Sequence, residues 1–252
     1  MFYSFVRKNR IDRTERIVVG RLNKTTTGKK IKIIAELLFL FAACAAGILS
    51  RAGNLSYPAG NAAVQEEKEK RIALTFDDGP SASYTVRLLD GLKERNVKAS
   101  FFLIGKQAEK YPEIVKRIQK DGHLIGNHTY HHIELTKVSK EKEMEEIGKT
   151  NEVLEGITGE KVSFIRPPFG EWRKEILEDV ELIPVLWDID PLDWCTPDSG
   201  EIVRRVVTKA KENGIILLHD CYETSVEAAL QIIDLLKEKG YEFVTVDELI
   251  ME

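Results

Sequence analysis

Four of the five histidines in this chain lie beside carboxylates, in segments that follow predicted strands. Three of them fall in the run HTYHH at 128–132. Residues three or four positions apart share one face of a helix, so His128 could bind a metal ion together with either His131 or His132. Spacing alone leaves both pairs open. Taken by itself the cluster could also be hydrated surface, so the case for a metal site depends on the other motifs in the chain.

Two adjacent carboxylates, Asp77 and Asp78, follow an apolar run and precede Gly79-Pro80. Neighbouring aspartates repel each other, so a cation or a shared proton is needed if both are buried. On an extended chain their side chains point in opposite directions, which does not suit the carboxyl pair of a glycosidase. The pair suits two separate roles better, with one aspartate binding a metal ion and the other facing a substrate as a base.

Three further motifs place charged or aromatic side chains at predicted strand ends. RPPFG at 166–170 holds a guanidinium and an aromatic ring in a rigid turn, where the cation could pair with a carboxylate. DPLDW at 190–194 offers two carboxylates and an aromatic ring of the type that stacks on sugars. The apolar run 215–218 delivers His219 to the same face. By contrast, His123 precedes its strand and is given a structural role.

The elements that must position these motifs alternate between apolar runs of strand length and amphipathic stretches of helical length. This alternation is typical of a parallel α/β fold. Five strand ends that converge on one face favour a distorted or incomplete (β/α) barrel with about seven parallel strands over an open doubly wound sheet. The predicted strands are 72–76, 99–104, 124–125, 163–165, 183–187, 215–218 and 243–246, and the predicted helices are 84–95, 111–120, 140–154, 199–212 and 225–239.

The N-terminal part of the chain differs from the rest. Residues 1–32 carry ten Lys and Arg against two acidic residues, and the apolar stretch 31–50 follows. At about 1.5 Å per residue this stretch is long enough to cross a hydrocarbon core about 30 Å thick. The basic flank predicts a cytoplasmic N-terminus. A cleaved signal peptide and a buried amphipathic helix are the alternatives, and Glu36 inside the stretch counts against a span.

The expected organisation is therefore a basic cytoplasmic tail over 1–30, a transmembrane anchor or uncleaved signal over 31–50, a linker over 51–70 and a folded domain over 71–252. This arrangement places the domain outside the cell membrane, with a secreted form if the apolar stretch is cleaved. From residue 33 onward the chain has 27 basic and 39 acidic residues, so nucleic acid is not an expected partner.

Cysteine placement adds one structural hypothesis. Cys44 lies inside the apolar stretch, while Cys195 and Cys221 each follow one of the motifs that we expect to form a single site. In an oxidising compartment these two thiols could form a disulfide.

The five motifs together resemble those of the NodB-homology polysaccharide deacetylases, carbohydrate esterase family 4, over about residues 71–250. The motifs are TFDDG at 75–79, H-x-x-x-H at 128–132, RPPFG at 166–170, DxxDW at 190–194 and LLH at 217–219. The resemblance implies a catalytic domain that removes N-acetyl groups from N-acetylglucosamine-type residues of a polysaccharide. Peptidoglycan is preferred as substrate to chitin oligomers, exopolysaccharide or acetylxylan. A catalytically silent glycan-binding module is the alternative of another class.

The resemblance also implies one divalent ion, and the ligand types make zinc the first choice, with cobalt or nickel next. The protein is expected to be a monomer. Thr129 and Phe169 stand where the family commonly has Ser and Tyr. Threonine keeps the hydroxyl, and at Phe169 the implied donor is the backbone N–H, which does not depend on the side chain. The resemblance implies that Asp77 is the general base, with Arg166 as its partner, and that His219 is the general acid, with Asp193 as its partner. The implied metal ligands are Asp78, His128 and His132. The implied substrate contacts are Phe169, Trp194 and Leu217.

Overall fold

The computed structural model of the chain describes residues 70–250, which form a parallel sheet with helices packed against it. The predicted basic tail, transmembrane segment and linker lie outside the described residues. Among residues 70–250, no helix has the length and apolar character that a membrane crossing needs.

All pairings between the seven strands are parallel, as predicted. The strands are β1 (Lys70–Asp77), β2 (Ser100–Leu103), β3 (Leu124–Asn127), β4 (Phe164–Ile165), β5 (Ile183–Pro184), β6 (Gly214–His219) and β7 (Tyr241–Val244). Their order across the sheet is β5-β4-β3-β2-β1-β6. Strand β7 pairs with the first half of β1, on the edge of β1 whose second half pairs with β2.

The segment that leaves β5 joins the two edges of the sheet. Ile189 forms a parallel bridge with Ile216 of β6, and the Leu217 N–H donates to the Ile189 carbonyl at 2.9 Å. The Asp188 N–H donates to the Ile215 carbonyl, also at 2.9 Å. The sheet is therefore curled, and its strand number and parallel order fit the expected distorted barrel.

Eight α-helices lie within the described residues. They are α1 (Tyr84–Glu94), α2 (Gly105–Lys110), α3 (Pro112–Lys120), α4 (Lys140–Thr158), α5 (Lys174–Asp179), α6 (Ser199–Lys209), α7 (Glu223–Glu238) and α8 (Val246–Ile250). Three of them, α2, α5 and α8, are short and were not predicted from the sequence. Helix α4 continues four residues beyond its predicted end and is capped by Gly159 in the left-handed conformation (φ 72°), where glycine has no Cβ to clash.

Alternation along β1 divides its side chains between two environments. Ile72, Leu74 and Phe76 belong to the large core that includes the helices. The residues between them point to the other face of the sheet, where Ala73 belongs to a second, smaller apolar cluster. Thr75 and Asp77 share that inner face with Ala73, so the strand places a hydroxyl and a carboxylate inside the curled sheet.

His123 has the structural role that was predicted for it. The side chain is buried, its ring lies edge-on to Phe101 at 5.4 Å, and its Nδ1 accepts a hydrogen bond from the Ala99 N–H at 3.1 Å. Burial lowers the pKa of His123 to about 4, so the ring is neutral. This histidine lies before β3 and belongs to the packing of that strand.

Candidate active site

The polar motifs meet where the strands end. Asp77 is the last residue of β1 and His219 the last residue of β6, and the two are register partners in the sheet. His128 directly follows β3, and Arg166 directly follows β4. The carboxyl ends of parallel strands lie at one end of the sheet, so the fold gathers side chains that are up to 142 positions apart in sequence.

Asp78, His128 and His132 form a group that could hold a metal ion, with one ligand atom from each residue and all three atoms within 4.8 Å of one another. Asp78 Oδ1 lies 3.4 Å from His128 Nε2 and 3.3 Å from His132 Nε2. Ligands about 2.0–2.2 Å from a tetrahedral ion lie about 3.4 Å apart, so these distances fit a shared cation.

Three further observations fit the same assignment. Asp78 Oδ1 is buried and makes no hydrogen bond within the described part of the chain. Burial raises the pKa of Asp78, but the neighbouring imidazoles outweigh this effect and lower it to about 2, so the carboxylate is ionised. His128 Nδ1 lies 2.6 Å from the Arg166 carbonyl oxygen. A carbonyl only accepts, so Nδ1 carries the proton and Nε2 keeps a free lone pair, as metal-binding histidines require.

The histidine loop brings its rings together without a helix, so the helical premise of the spacing argument is wrong. The backbone takes left-handed conformations at Thr129 (φ 61°) and His132 (φ 57°). His132 thereby turns toward Asp78, whereas His131 Nδ1 lies 2.8 Å from Glu146 Oε1 on helix α4. Of the two partners that spacing left open, the structure places His132 beside His128.

Asp77 is held by a fully buried arginine. Arg166 Nη1 donates to Asp77 Oδ1 and to Thr75 Oγ1, each at 2.7 Å. The same guanidinium donates to the carbonyl oxygens of Val185 at 3.1 Å and Leu186 at 3.3 Å. Burial lowers the pKa of Arg166, and the charge and hydrogen bond of Asp77 act in the opposite direction. Arg166 therefore fixes the orientation of the Asp77 carboxylate.

His219 is held in the same way by a buried carboxylate. Its Nδ1 lies 2.8 Å from Asp193 Oδ1, and its backbone N–H donates to Asp193 Oδ2 at 2.8 Å. Ser225 Oγ, on helix α7, also donates to Asp193 Oδ2 at 2.6 Å. Burial lowers the pKa of His219, but the hydrogen bond and charge of Asp193 outweigh it and raise the pKa to about 9. His219 is therefore a protonated acid at neutral pH.

The predicted substrate contacts occupy different environments. Phe169 and Trp194 expose 63% and 54% of their surface, whereas Leu217 is buried within β6. The Phe169 ring lies 5.1 Å from that of His132. Tyr222 was not predicted from the sequence, yet its exposed ring lies 6.5 Å from the His219 ring. Large apolar surfaces therefore flank the polar groups of the site.

The residue after His219 supports the turn that follows Asp78. Asp220 is buried and accepts a hydrogen bond from Thr85 Oγ1 at 2.5 Å. A Cβ atom at Gly79 would lie 2.4 Å from both Asp220 carboxylate oxygens, so this turn needs glycine. Burial raises the pKa of Asp220 to about 7. Like Thr75 and Ser225, Asp220 was not assigned a role from the sequence.

The disulfide predicted between Cys195 and Cys221 is not formed. Both are free thiols; Cys195 is exposed and Cys221 is partly buried. Cys195 Sγ lies 3.4 Å from the Leu192 carbonyl within its own short 3₁₀ turn, Asp193–Cys195. Each cysteine follows a motif of the same site, but this position in the sequence does not bring the two sulfur atoms into a bond.

Fold and site together define an α/β protein in which an Asp-His-His group that could hold a metal ion lies beside a buried Asp–Arg pair and a His–Asp pair whose aspartate is buried. Residues 64–185 match the family described as polysaccharide deacetylase. A peptidoglycan-N-acetylglucosamine deacetylase of Bacillus cereus is 42% identical over 185 residues, which cover 71% of this chain and 67% of that protein. This chain belongs to the polysaccharide deacetylase family.

Two further comparisons involve PdaC, the peptidoglycan-N-acetylmuramic acid deacetylase of Bacillus subtilis. This chain is 39% identical to PdaC over 184 residues, which cover 73% of this chain but 39% of the length of PdaC. A solved structure of PdaC is similar with a TM-score of 0.71 at 40% identity, covering 72% of this chain and 90% of that structure.

Proposed function

We propose that this chain is a metal-dependent deacetylase that removes N-acetyl groups from N-acetylglucosamine-type residues of cell-wall peptidoglycan and releases acetate. The observation that carries the proposal is the convergence of Asp78, His128 and His132 beside two separately held groups, Asp77 and His219. Membership of the polysaccharide deacetylase family supports the same class of reaction.

Asp78, His128 and His132 would hold one divalent ion. Zinc is the first choice because carboxylate and imidazole ligands suit it, and cobalt and nickel accept the same set. When bound, such an ion supplies Lewis acidity, which activates a water molecule and polarises a carbonyl oxygen.

Asp77 is the proposed general base. Its Oδ1 accepts the hydrogen bond from Arg166 at 2.7 Å, whereas its Oδ2 lies 3.7 Å from His128 Nε2 and thus faces the ligand group. Because Arg166 engages only the first oxygen, the second would accept the proton of the water molecule that attacks the acetyl carbonyl carbon.

His219 is the proposed general acid. Asp193 orients the ring through Nδ1 and raises the pKa of His219 to about 9, although burial acts in the opposite direction. An amine is a poor leaving group unless its nitrogen is protonated as the bond breaks. His219 would donate that proton, and Asp193 would stabilise the ring through the transfer.

The exposed aromatic residues would contact the substrate. Trp194 offers a face of the type that stacks on sugar rings, and Leu217 would line the acetyl pocket, as the family resemblance implies. Phe169 lies against the His132 ring, and its backbone N–H is the proposed donor to the developing oxyanion. A main-chain donor does not depend on the identity of the side chain.

The choice of peptidoglycan follows from the relatives. The Bacillus cereus relative is a peptidoglycan-N-acetylglucosamine deacetylase and PdaC is a peptidoglycan-N-acetylmuramic acid deacetylase. Chitin oligomers, exopolysaccharide and acetylxylan are the alternative substrates. We further propose that residues 31–50 anchor the chain in the cell membrane with the catalytic domain outside. The basic flank and the length of the apolar stretch support this orientation.

The deciding experiment measures acetate release by the purified full-length protein from peptidoglycan, an N-acetylglucosamine oligomer and acetylxylan. Peptidoglycan should give the highest rate, and a chelator should abolish release until zinc is restored. Glycan binding without acetate release would identify a silent binding module. Acetate release that persists after complete removal of divalent metal would exclude the proposed mechanism.

A further inference from the structure

We infer that helix α4 positions the metal-binding loop and that Glu146 is the positioning residue through which it acts. The inference rests on the proposed metal site at Asp78, His128 and His132. It gives a role to His131, the histidine of the motif that does not join the ligand group.

Glu146 contacts the loop through both carboxylate oxygens. Its Oε2 accepts the backbone N–H of His131 at 2.7 Å, and its Oε1 lies 2.8 Å from His131 Nδ1. The Glu146 side chain is 1% exposed, and Lys142 Nζ lies 3.1 Å from Oε1. A buried carboxylate is costly without hydrogen-bond partners, so Glu146 keeps these contacts. They hold His131 in one position, directly before the proposed ligand His132.

The same helix holds the loop at a second point. Asn127 is buried, and its Nδ2 donates to the Ile147 carbonyl at 2.9 Å and to Asn151 Oδ1 at 2.7 Å, both on α4. Its Oδ1 accepts the Thr129 N–H at 2.7 Å. Each ligating histidine therefore follows a residue that α4 holds, since Asn127 precedes His128 and His131 precedes His132.

These contacts matter because the loop is strained where it delivers its ligands. Thr129 and His132 both have positive φ angles, which cost free energy in residues with a Cβ. Such conformations persist only where surrounding contacts fix them. The Thr129 N–H bond to Asn127 and the His131 contacts with Glu146 lie next to the two strained residues. Helix α2 adds bonds from the Gly105 N–H to the Thr129 carbonyl and from the Lys106 N–H to the Tyr130 carbonyl. Loss of Glu146 should therefore let His132 turn away from Asp78 without removing a ligand.

The test compares Glu146→Gln with Glu145→Gln in the full-length protein, purified in a mild detergent. Gln keeps the size of the side chain but removes its charge, and its NH₂ replaces either the oxygen that accepts the His131 N–H or the oxygen that faces Lys142 Nζ. Glu145 is the matched control, because it is on the same helix and pairs with the same Lys142 at 3.0 Å but is exposed. The readouts are Kd for Co²⁺ by calorimetry and the visible absorption spectrum of the Co²⁺-loaded protein.

Glu146→Gln should raise Kd by about 10- to 100-fold, the range for residues that orient metal ligands, and should change the Co²⁺ spectrum. Glu145→Gln should leave both unchanged. A residue that only stabilised the fold would lower Tm and leave Kd and spectrum intact. A Kd for Glu146→Gln within twofold of wild type would overturn the inference.

His131→Ala is the second variant and remains informative if Glu146→Gln does not fold. It removes the ring contact at an exposed side chain but keeps the backbone N–H bond, so Kd should rise less, about three- to tenfold. An unchanged Kd in a folded His131→Ala protein would also count against the inference. If the wild-type protein binds no Co²⁺, the proposed metal site itself is wrong and the inference falls with it.

Discussion

Asp77 and His219 are register partners across β1 and β6, and each is the last residue of its strand. Neighbouring strands lie about 4.8 Å apart, and side chains in register point to the same face of a sheet. The proposed base and acid are therefore neighbours on one face, although 142 positions separate them. Arg166 holds Asp77 and Asp193 holds His219, so the two groups can be altered one at a time.

Asp77→Asn should lose nearly all turnover while the protein keeps its metal ion. The amide cannot accept a proton at neutral pH, and removal of a general base costs about 10²- to 10⁴-fold in rate. The measurements are kcat on an N-acetylglucosamine oligomer and metal content by mass spectrometry. Asp90→Asn, on the exposed surface of α1, is the control and should match the wild type. Wild-type turnover by Asp77→Asn would show that the base is another group.

His132→Ala should lose the metal ion together with activity. The substitution removes one of the three proposed protein ligands. Metal affinity should therefore fall by more than the roughly 100-fold loss seen when a residue that only orients a metal ligand is removed. Metal content after dialysis against a weak chelator measures the loss. Asp77→Asn provides the contrast, since it should retain metal under the same conditions. Full metal occupancy in His132→Ala would require a different ligand set.

Asp193→Asn should move the alkaline limit of activity downward. Burial lowers the pKa of His219, but Asp193 outweighs this effect and raises the pKa to about 9. As the pH rises through about 9, His219 deprotonates and can no longer act as an acid, so kcat/KM of the wild type should fall. Without the carboxylate charge, the pKa of His219 falls and the limit shifts toward lower pH. The pH profile of kcat/KM for both proteins measures this shift.

Asp234→Asn is the control for that profile, because Asp234 is exposed and pairs with Arg95 away from the site. It should leave the alkaline limit unchanged. An identical limit in Asp193→Asn and the wild type would mean that His219 does not set it.

Arg166→Lys should destabilise the fold as well as the site. Lysine keeps one charge but cannot reach the four acceptors that the planar guanidinium satisfies. Breaking a buried ion pair costs about 3–5 kcal/mol, and the retained charge should place the loss near the lower end of that range. The free energy of unfolding in urea gives the loss.

Arg204→Lys is the matched control, since Arg204 pairs with Glu201 on the surface of α6. It should change the free energy of unfolding by less than about 0.5 kcal/mol. A similar small change for Arg166→Lys would mean that the network around Asp77 contributes little to folding.

Strand periodicity and strand-end chemistry predicted the main features of this fold. The seven strands and the polar residues at their ends follow from local patterns, because a buried parallel strand is a short apolar run between turns. The two-residue strands β4 and β5 are shorter than predicted, since pairing depends on neighbours that the local sequence does not show. The short helix α2 lacks the length that makes apolar periodicity visible.

The site was less predictable wherever a distant contact decides the geometry. Spacing left both His131 and His132 open, and only the family resemblance favoured His132. In the structure His131 is engaged by Glu146, which lies on another element 15 positions away. Thr75 carried a usable signal, because residues two apart in a strand share a face and Thr75 shares that of Asp77. Ser225 gave no such signal, since only the packing of α7 brings its hydroxyl to Asp193.

The bridge between Ile189 and Ile216 also bears on association between molecules. Strand β6 would otherwise present a free edge, and unpaired strand edges are templates for pairing with another chain. With β1 on one side and the segment around Ile189 on the other, the strand that carries His219 is occupied along both edges at this point. Substitutions that detach this segment should therefore promote aggregation, even where each side chain of the site is intact.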